Sequence, residues 1–211
     1  MNVGTKSLLF GAHQFIIHPL LVFAAWWKLF GFPWDPRLWI SFMVHDWGYW
    51  GSPNMDGYEG NMHPVIGANI LHALFDRPRW VKHEGSLPEE NRRWYNLCLF
   101  HSRFLAKDYG SPFSLLCVAD KLSIVLEPSW LYLPRVRWSG EIKEYMALAK
   151  ERTAAGEPKY ASMKICADDE KRWFADVQEY LRRWIVEHKD GRADTWTPCI
   201  KTATTESGVW K

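Results

Sequence analysis

The stretch that most constrains this chain is Val44-His45-Asp46-Trp47-Gly48, which closes the apolar run Leu38-Trp39-Ile40-Ser41-Phe42-Met43-Val44. Neighbouring residues on a helix point about 100° apart, so a histidine and an aspartate side by side do not serve one surface site. They can converge on something small and central, such as a metal ion. An aspartate in so apolar a neighbourhood needs a cation, because an unpaired buried carboxylate is very costly. The rest of the chain has to supply whatever completes this pair.

Its 211 residues, 47% hydrophobic and 24% charged, suit one globular domain with a sizeable core. A net charge of +2 provides no strong field for nucleic acid or a membrane surface, so neither partner is expected. The 14 Trp, 11 Phe and 8 Tyr are first of all core material, and secondly walls for a flat or sugar-like ligand. Cys98, Cys117, Cys166 and Cys199 form no CxxC pair and no signal peptide precedes them. The expectation is a reducing, cytoplasmic chain with free thiols, with Cys98 and Cys117 in the core. Leu8 to Phe32 is long and apolar enough to resemble a membrane span. It carries His13, Gln14, His18 and Lys28, which lipid disfavours, so a helix buried inside the domain is expected.

The pattern predicts an all-α fold with no internal repeat. A first helix runs from Leu8 or His13 to Phe30 and stops at Gly31. Asp35-Pro36 caps a second, ending at His45-Asp46. Residues 47–62, rich in Gly, Asn, Pro and Asp, read as a loop. A third helix spans His63 to Phe75, and a fourth starts at Pro88-Glu89-Glu90 and ends before Gly110. Ser111-Pro112 caps a fifth, through Leu126, and Glu127 to Arg137 reads as irregular because of Pro128 and Pro134. Ser139 to Thr153 is a polar helix, and Ala167 to His188 an amphipathic one with Trp173, Val177, Leu181 and Trp184 at helical spacing. Residues 192–211 read as a loose tail with room for a short strand. The division expected is a core over 1–135 and a helical extension with its tail over 136–211, packed together as one domain, with a homodimer as the expected assembly.

His18, His63, His101 and Asp120 join His45-Asp46 on these helices. Asp120, within Cys117-Val118-Ala119-Asp120-Lys121-Leu122, is a second aspartate in an apolar helix and needs a partner too. Imidazole nitrogens and carboxylate oxygens suit divalent iron, manganese, nickel, cobalt or zinc. Such an ion lowers the pKa of bound water and polarises a phosphoryl oxygen. Six protein ligands are too many for one ion that must also bind substrate.

The ordered set resembles the HD-domain superfamily of metal-dependent phosphohydrolases. His45-Asp46-Trp47-Gly48 is similar to its HD-x-G signature, and His63-Pro64-Val65-Ile66-Gly67-Ala68-Asn69-Ile70-Leu71 to the helix that follows. His101 to Asp120, ending in Ala119-Asp120-Lys121-Leu122, is similar to its closing helix pair. The resemblance covers roughly His13 to Leu126. It implies that His18, His45, Asp46 and Asp120 hold a first metal, and that His63 and His101 complete a second site with Asp46 bridging. Asp46, His63, His101 and Lys121 are then the catalytic candidates. The implied activity is hydrolysis of a nucleotide or another small phosphate ester. Tyr49 stands where the cyclic-dinucleotide branch has lysine, and no GYP motif follows, which speaks against cyclic di-GMP. Tyr49 also replaces the acid that single-metal nucleotidases carry there.

Asp56 or Glu59 could serve as general acid or base. Tyr49, Trp50 and Tyr58 could stack on a base or cover the site, and Arg103 and Lys107 are candidate phosphate contacts beside Lys121. His13 is the alternative to His18, as ligand or as support behind it. His72 and His83 read as surface or connector residues, and His188 as the cationic end of an exposed helix. Two other functions share the pattern. Some HD proteins use a di-iron pair to cleave C–C or C–P bonds with oxygen, and a metal-stabilised binding module needs no turnover.

Overall fold

The computed structural model describes residues 1–77, 92–154 and 165–197. Every regular element among them is helical, as the periodicity requires. In chain order they are α1 (Val3–Phe10), α2 (Ile17–Phe30), α3 (Pro36–Val44), a 3-10 turn (Trp47–Tyr49), α4 (Tyr58–Asn61) and α5 (Pro64–Leu71), which continues as a π-helical turn (His72–Asp76). Then come α6 (Arg93–Leu99), α7 (Arg103–Asp108), α8 (Leu115–Leu126), α9 (Ser129–Ser139), α10 (Glu141–Ala154) and α11 (Glu170–His188).

Several boundaries differ from expectation, each for a local reason. The long apolar segment from Leu8 is two helices. Gly11 ends α1, and the Gln14 side chain accepts from the backbone N–H groups of Ile16 and Ile17 at 3.0 and 2.6 Å, capping α2. No helix among the described residues is long and apolar enough to cross a membrane. The fourth helix is also two: the Ser102 hydroxyl accepts from Leu105 N–H at 3.4 Å, so α7 starts afresh directly after His101. The cap of α8 is Ser114 and not Ser111. Ser114 is pinned by donating its N–H to Phe100 O (2.9 Å) and its hydroxyl to Leu97 O (2.7 Å). The stretch read as irregular is α9. Pro134 lies inside it but on an exposed face, and the carbonyl it leaves without a helical partner belongs to Trp130, itself 74% exposed, so water can satisfy it. Asp35 caps α3 as expected, accepting from Arg37 N–H at 3.0 Å with Pro36 at the first helical position. The start placed at Pro88-Glu90 and residues 198–211 lie outside the described residues; the described part of the tail, 192–197, holds no strand and is tied down by Thr197, buried against Asp194.

The heart of the bundle is α2 packed on α8, where Val22, Ala25, Phe42, Leu116 and Ala119 are buried together. On its other face α8 meets α11 through Cys117, Val118, Trp184 and Ile185. The chain beyond residue 129 thus shares a core with the ligand-bearing helices. Cys98 and Cys117 are buried free thiols, as expected.

His188 does not end an exposed helix. It is fully buried, stacked on Trp184 with ring centroids 4.9 Å apart and donating Nδ1–H to Trp184 O at 2.8 Å. Phe113 and Trp196 close around it, so its place at the helix end is one of packing.

Two glycines set the approach of helices to the site. A Cβ on Gly67 would meet Val44 O at 2.5 Å and Cys98 Sγ at 2.9 Å; one on Gly48 would meet His63 O at 2.0 Å. α5 can therefore lie against the end of α3 only because these positions lack a side chain.

Candidate metal centre

Each predicted ligand arrives from a different part of the bundle. His18 lies in the first turn of α2, His45 and Asp46 follow α3, His63 precedes α5, His101 closes α6, and Asp120 lies in the middle of α8. All but His63 are buried, and His63 is nearly so. Their ligating atoms nevertheless meet. On one side, His18 Nε2 is 3.1 Å from Asp46 Oδ2, 3.2 Å from His45 Nε2 and 3.2 Å from Asp120 Oδ1. His45 Nε2 is 3.2 Å from Asp46 Oδ2 and 3.9 Å from Asp120 Oδ1. On the other side, His63 Nε2 and His101 Nε2 are 3.0 Å apart, and each lies 3.4 Å from Asp46 Oδ1.

Three observations fit this cluster to metal. First, ligands at about 2.1 Å from one ion, at right or tetrahedral angles, stand about 3.0–3.4 Å from one another. The separations within each group fall in that range, apart from the longer His45–Asp120 contact. Second, the remaining ring nitrogen is engaged in three of the four histidines. Nδ1 of His45, His63 and His101 bond the carbonyls of Phe42 (2.9 Å), Gly60 (2.6 Å) and Cys98 (2.6 Å). A carbonyl accepts only, so each Nδ1 carries the proton and each Nε2 presents a lone pair to the centre. Third, Asp46 Oδ2 is buried without a hydrogen bond, although two imidazole nitrogens crowd it. His18, His45 and Asp46 form one group able to hold an ion, and Asp46, His63 and His101 another; Asp46 belongs to both through opposite oxygens.

The charges show how strongly the cluster calls for a cation. Burial alone would lower His18, but the Asp120 and Asp46 carboxylates outweigh it and push it up to about 10. Burial depresses His45, and it depresses His63 further. Burial would raise Asp46 and Asp120, yet both stay well below the usual carboxylate range, Asp46 chiefly through His45 and Asp120 chiefly through Lys121.

A cavity of about 240 Å³ opens on the cluster, lined by His18, His63, Tyr49, Lys121 and Arg103 among others. Lys121 Nζ is 2.7 Å from Asp120 Oδ2, so it pairs with a ligand while lining the cavity. Tyr49 is buried and its ring stacks on His63 at 4.1 Å. Asp56 lines the cavity, whereas Glu59 is exposed and accepts from Asn54 at 3.1 Å. Trp50 and Tyr58 are 64% and 66% exposed. Lys107 is exposed and donates to Asp194 O at 3.0 Å, away from the cavity lining. His72 is half-buried, 3.5 Å from Asp76. His83 lies outside the described residues.

His13 stands behind the cluster, its ring 5.6 Å from His18 and 4.5 Å from Tyr49. It is held by Ser7 Oγ at 2.8 Å and by Glu141, 3.5 Å away. Nothing in the sequence pointed to Glu141, which reads as an ordinary acid in the first turn of a polar helix. The cavity wall from Trp173, Val177 and Leu181 was visible as the stripe of an amphipathic helix, with no signal that it faces a cavity.

The chain matches no family profile, no curated protein and no solved structure.

Proposed function

We propose that the protein is a metal-dependent phosphohydrolase of the HD-domain type, acting on a small phosphate ester at a centre that holds two divalent transition-metal ions. The observation that carries this reading is Asp46, whose two oxygens face two separate sets of imidazole nitrogens. His18, His45, Asp46 and Asp120 would hold one ion, and Asp46, His63 and His101 the other. Ions held there supply an acidified water and polarise a phosphoryl oxygen.

The chain's own residues do the rest. The carbonyls of Phe42, Gly60 and Cys98 orient three imidazoles, and Tyr49 shields a face of His63 from water. Arg103 and Lys121 bring positive charge to the cavity where a phosphoryl group would bind. The di-iron oxygenase reading shares the ligand set, and a C–P-cleaving form would use the same two cations, so metal identity and product separate the two.

Elemental analysis of protein purified with and without oxygen, followed by phosphate release from a panel of phosphate esters, tests the proposal. About two equivalents of metal with phosphate release is the expected result. Iron with oxygen uptake and no phosphate release would overturn it.

A further inference from the structure

The cavity lining changes character along the chain, more polar beside the ligands and more apolar in the later helices. Asn61, Ser102, Arg103 and Lys121 each lie within two residues of a candidate ligand. The later segment, α9, α10 and α11 with Ile165, contributes a wall of Leu148, Ile165, Trp173, Val177 and Leu181 and three tyrosine rings. Arg152 is the one charged side chain that this wall contributes among the described residues.

Arg103 marks the boundary. It is 8% exposed, and among the described residues no carboxylate lies within ion-pair distance of it. Its Nη1 donates to Tyr180 Oη at 3.2 Å, and its guanidinium lies over the rings of Trp184 and Tyr180, 5.0 and 5.7 Å from their centroids. Asp194, whose charge favours the guanidinium, is engaged by Trp184, Trp196 and Thr197. A guanidinium has five N–H donors in a fixed fork that matches a phosphate. A buried cation held by a phenol and two aromatic faces still calls for an anion.

Resting on the hydrolase reading, we infer that the substrate is a small amphiphilic monophosphate ester, not a nucleotide. Its phosphoryl group is gripped by Arg103 beside the metal centre, and its alkyl or single-ring alcohol portion lies against Trp173, Val177 and Leu181. A cavity of about 240 Å³ is smaller than the roughly 300–1,000 Å³ of sites for drug-sized ligands. The hydroxyls of Tyr145 and Tyr180 on this wall are engaged by Glu141 and Arg103, so a nucleobase there would find few partners for its hydrogen-bonding edge, which such sites reject strongly. An alkyl chain or a phenyl ring loses nothing there and gains from leaving water.

Phosphonates, which are not hydrolysed, separate this inference from the catalytic one. Calorimetric titration of the manganese-loaded protein with methyl-, butyl- and phenylphosphonate should show butyl- and phenylphosphonate binding at least about 10-fold tighter than methylphosphonate. Val177→Glu should abolish that gain. Arg103→Gln should weaken all three ligands alike, by about 10-fold or more. Equal affinity across the wild-type series, or a gain that survives Val177→Glu, would overturn the inference. If chain length matters but no phosphate ester is cleaved, the hydrolase reading fails and the amphiphilic site stands. If phosphonates bind equally while methyl phosphate and nucleotides are hydrolysed, the reverse holds.

Discussion

Asp46 and Glu141 are both buried carboxylates, and the protein treats them in opposite ways. Glu141 is fully buried, yet protein donors surround it. Ser7 Oγ (2.6 Å) and Tyr145 Oη (3.1 Å) donate to Oε1; the Ala12 N–H (3.0 Å) and the Ser139 hydroxyl donate to Oε2. Even Gly11 fits this knot, since a Cβ there would lie 1.9 Å from Glu141 Oε2. Asp46 is flanked instead by the ring nitrogens of four histidines, and one of its oxygens has no hydrogen bond. A buried carboxylate by itself therefore says nothing about metal; what surrounds it decides. Glu141 ties α10 to α1 and the loop behind His13, and asks for no ion. Asp46 is completed only by a cation.

The comparison breaks first at Asp46. Asp46→Ala should lose all bound metal and all turnover together, because both ligand groups share this residue; unchanged metal content by elemental analysis would refute the bridging role. His101→Ala should remove one ion of the two, since His18, His45, Asp46 and Asp120 remain, and metal per chain should halve.

At the other pole, Glu141→Gln should cost about 3 kcal/mol in urea unfolding, because donors aimed at a carboxylate lose their acceptor. Metal stoichiometry in the folded fraction should stay at the wild-type level. The pH dependence has a definite sign. The Glu141 carboxyl lies below its ordinary value of 4.5: burial would raise it, but His13, Ser139 and Ser7 favour the charged form more. The unfolded chain then binds this proton more readily than the folded one. The wild-type advantage over Glu141→Gln is thus complete above pH 4.5 and shrinks as pH falls towards the lower folded value. A difference that grew on acidification would contradict the donor ring.

Smaller effects sharpen the boundary between the two regions. Gly67→Ala should destabilise by about 2 kcal/mol, or about 6 °C in melting temperature, because its Cβ would press on Val44 O and Cys98 Sγ. Lys107→Ala, exposed and outside the cavity lining, should change stability by less than about 0.5 kcal/mol and leave phosphonate affinity within about twofold.

Much of this was legible in the residues. Periodicity and the Asp35-Pro36 cap placed α3, and the apolar setting of Asp46 and Asp120 marked two acids in need of a partner. The order of histidines pointed to a set of ligands that the fold brings within a few ångströms. Less legible were features whose cause lies in another segment. Ser114 became a cap because α6 holds it, Pro134 stayed in a helix because its face meets water, and His188 was buried by Trp184, Phe113 and Trp196.

The sequence by itself determined the helical class, through local spacing, and marked Asp46 and Asp120, through the intolerance of apolar surroundings for unpaired charge; the resemblance to the HD-domain pattern supplied the full ligand set. Only the tertiary structure decided that Asp46 faces two groups at once, that Glu141 is satisfied by protein donors, and that α9, α10 and α11 wall a cavity opening on the centre. Those outcomes depend on which side chains meet across segments far apart in the chain, and local spacing carries no record of such meetings.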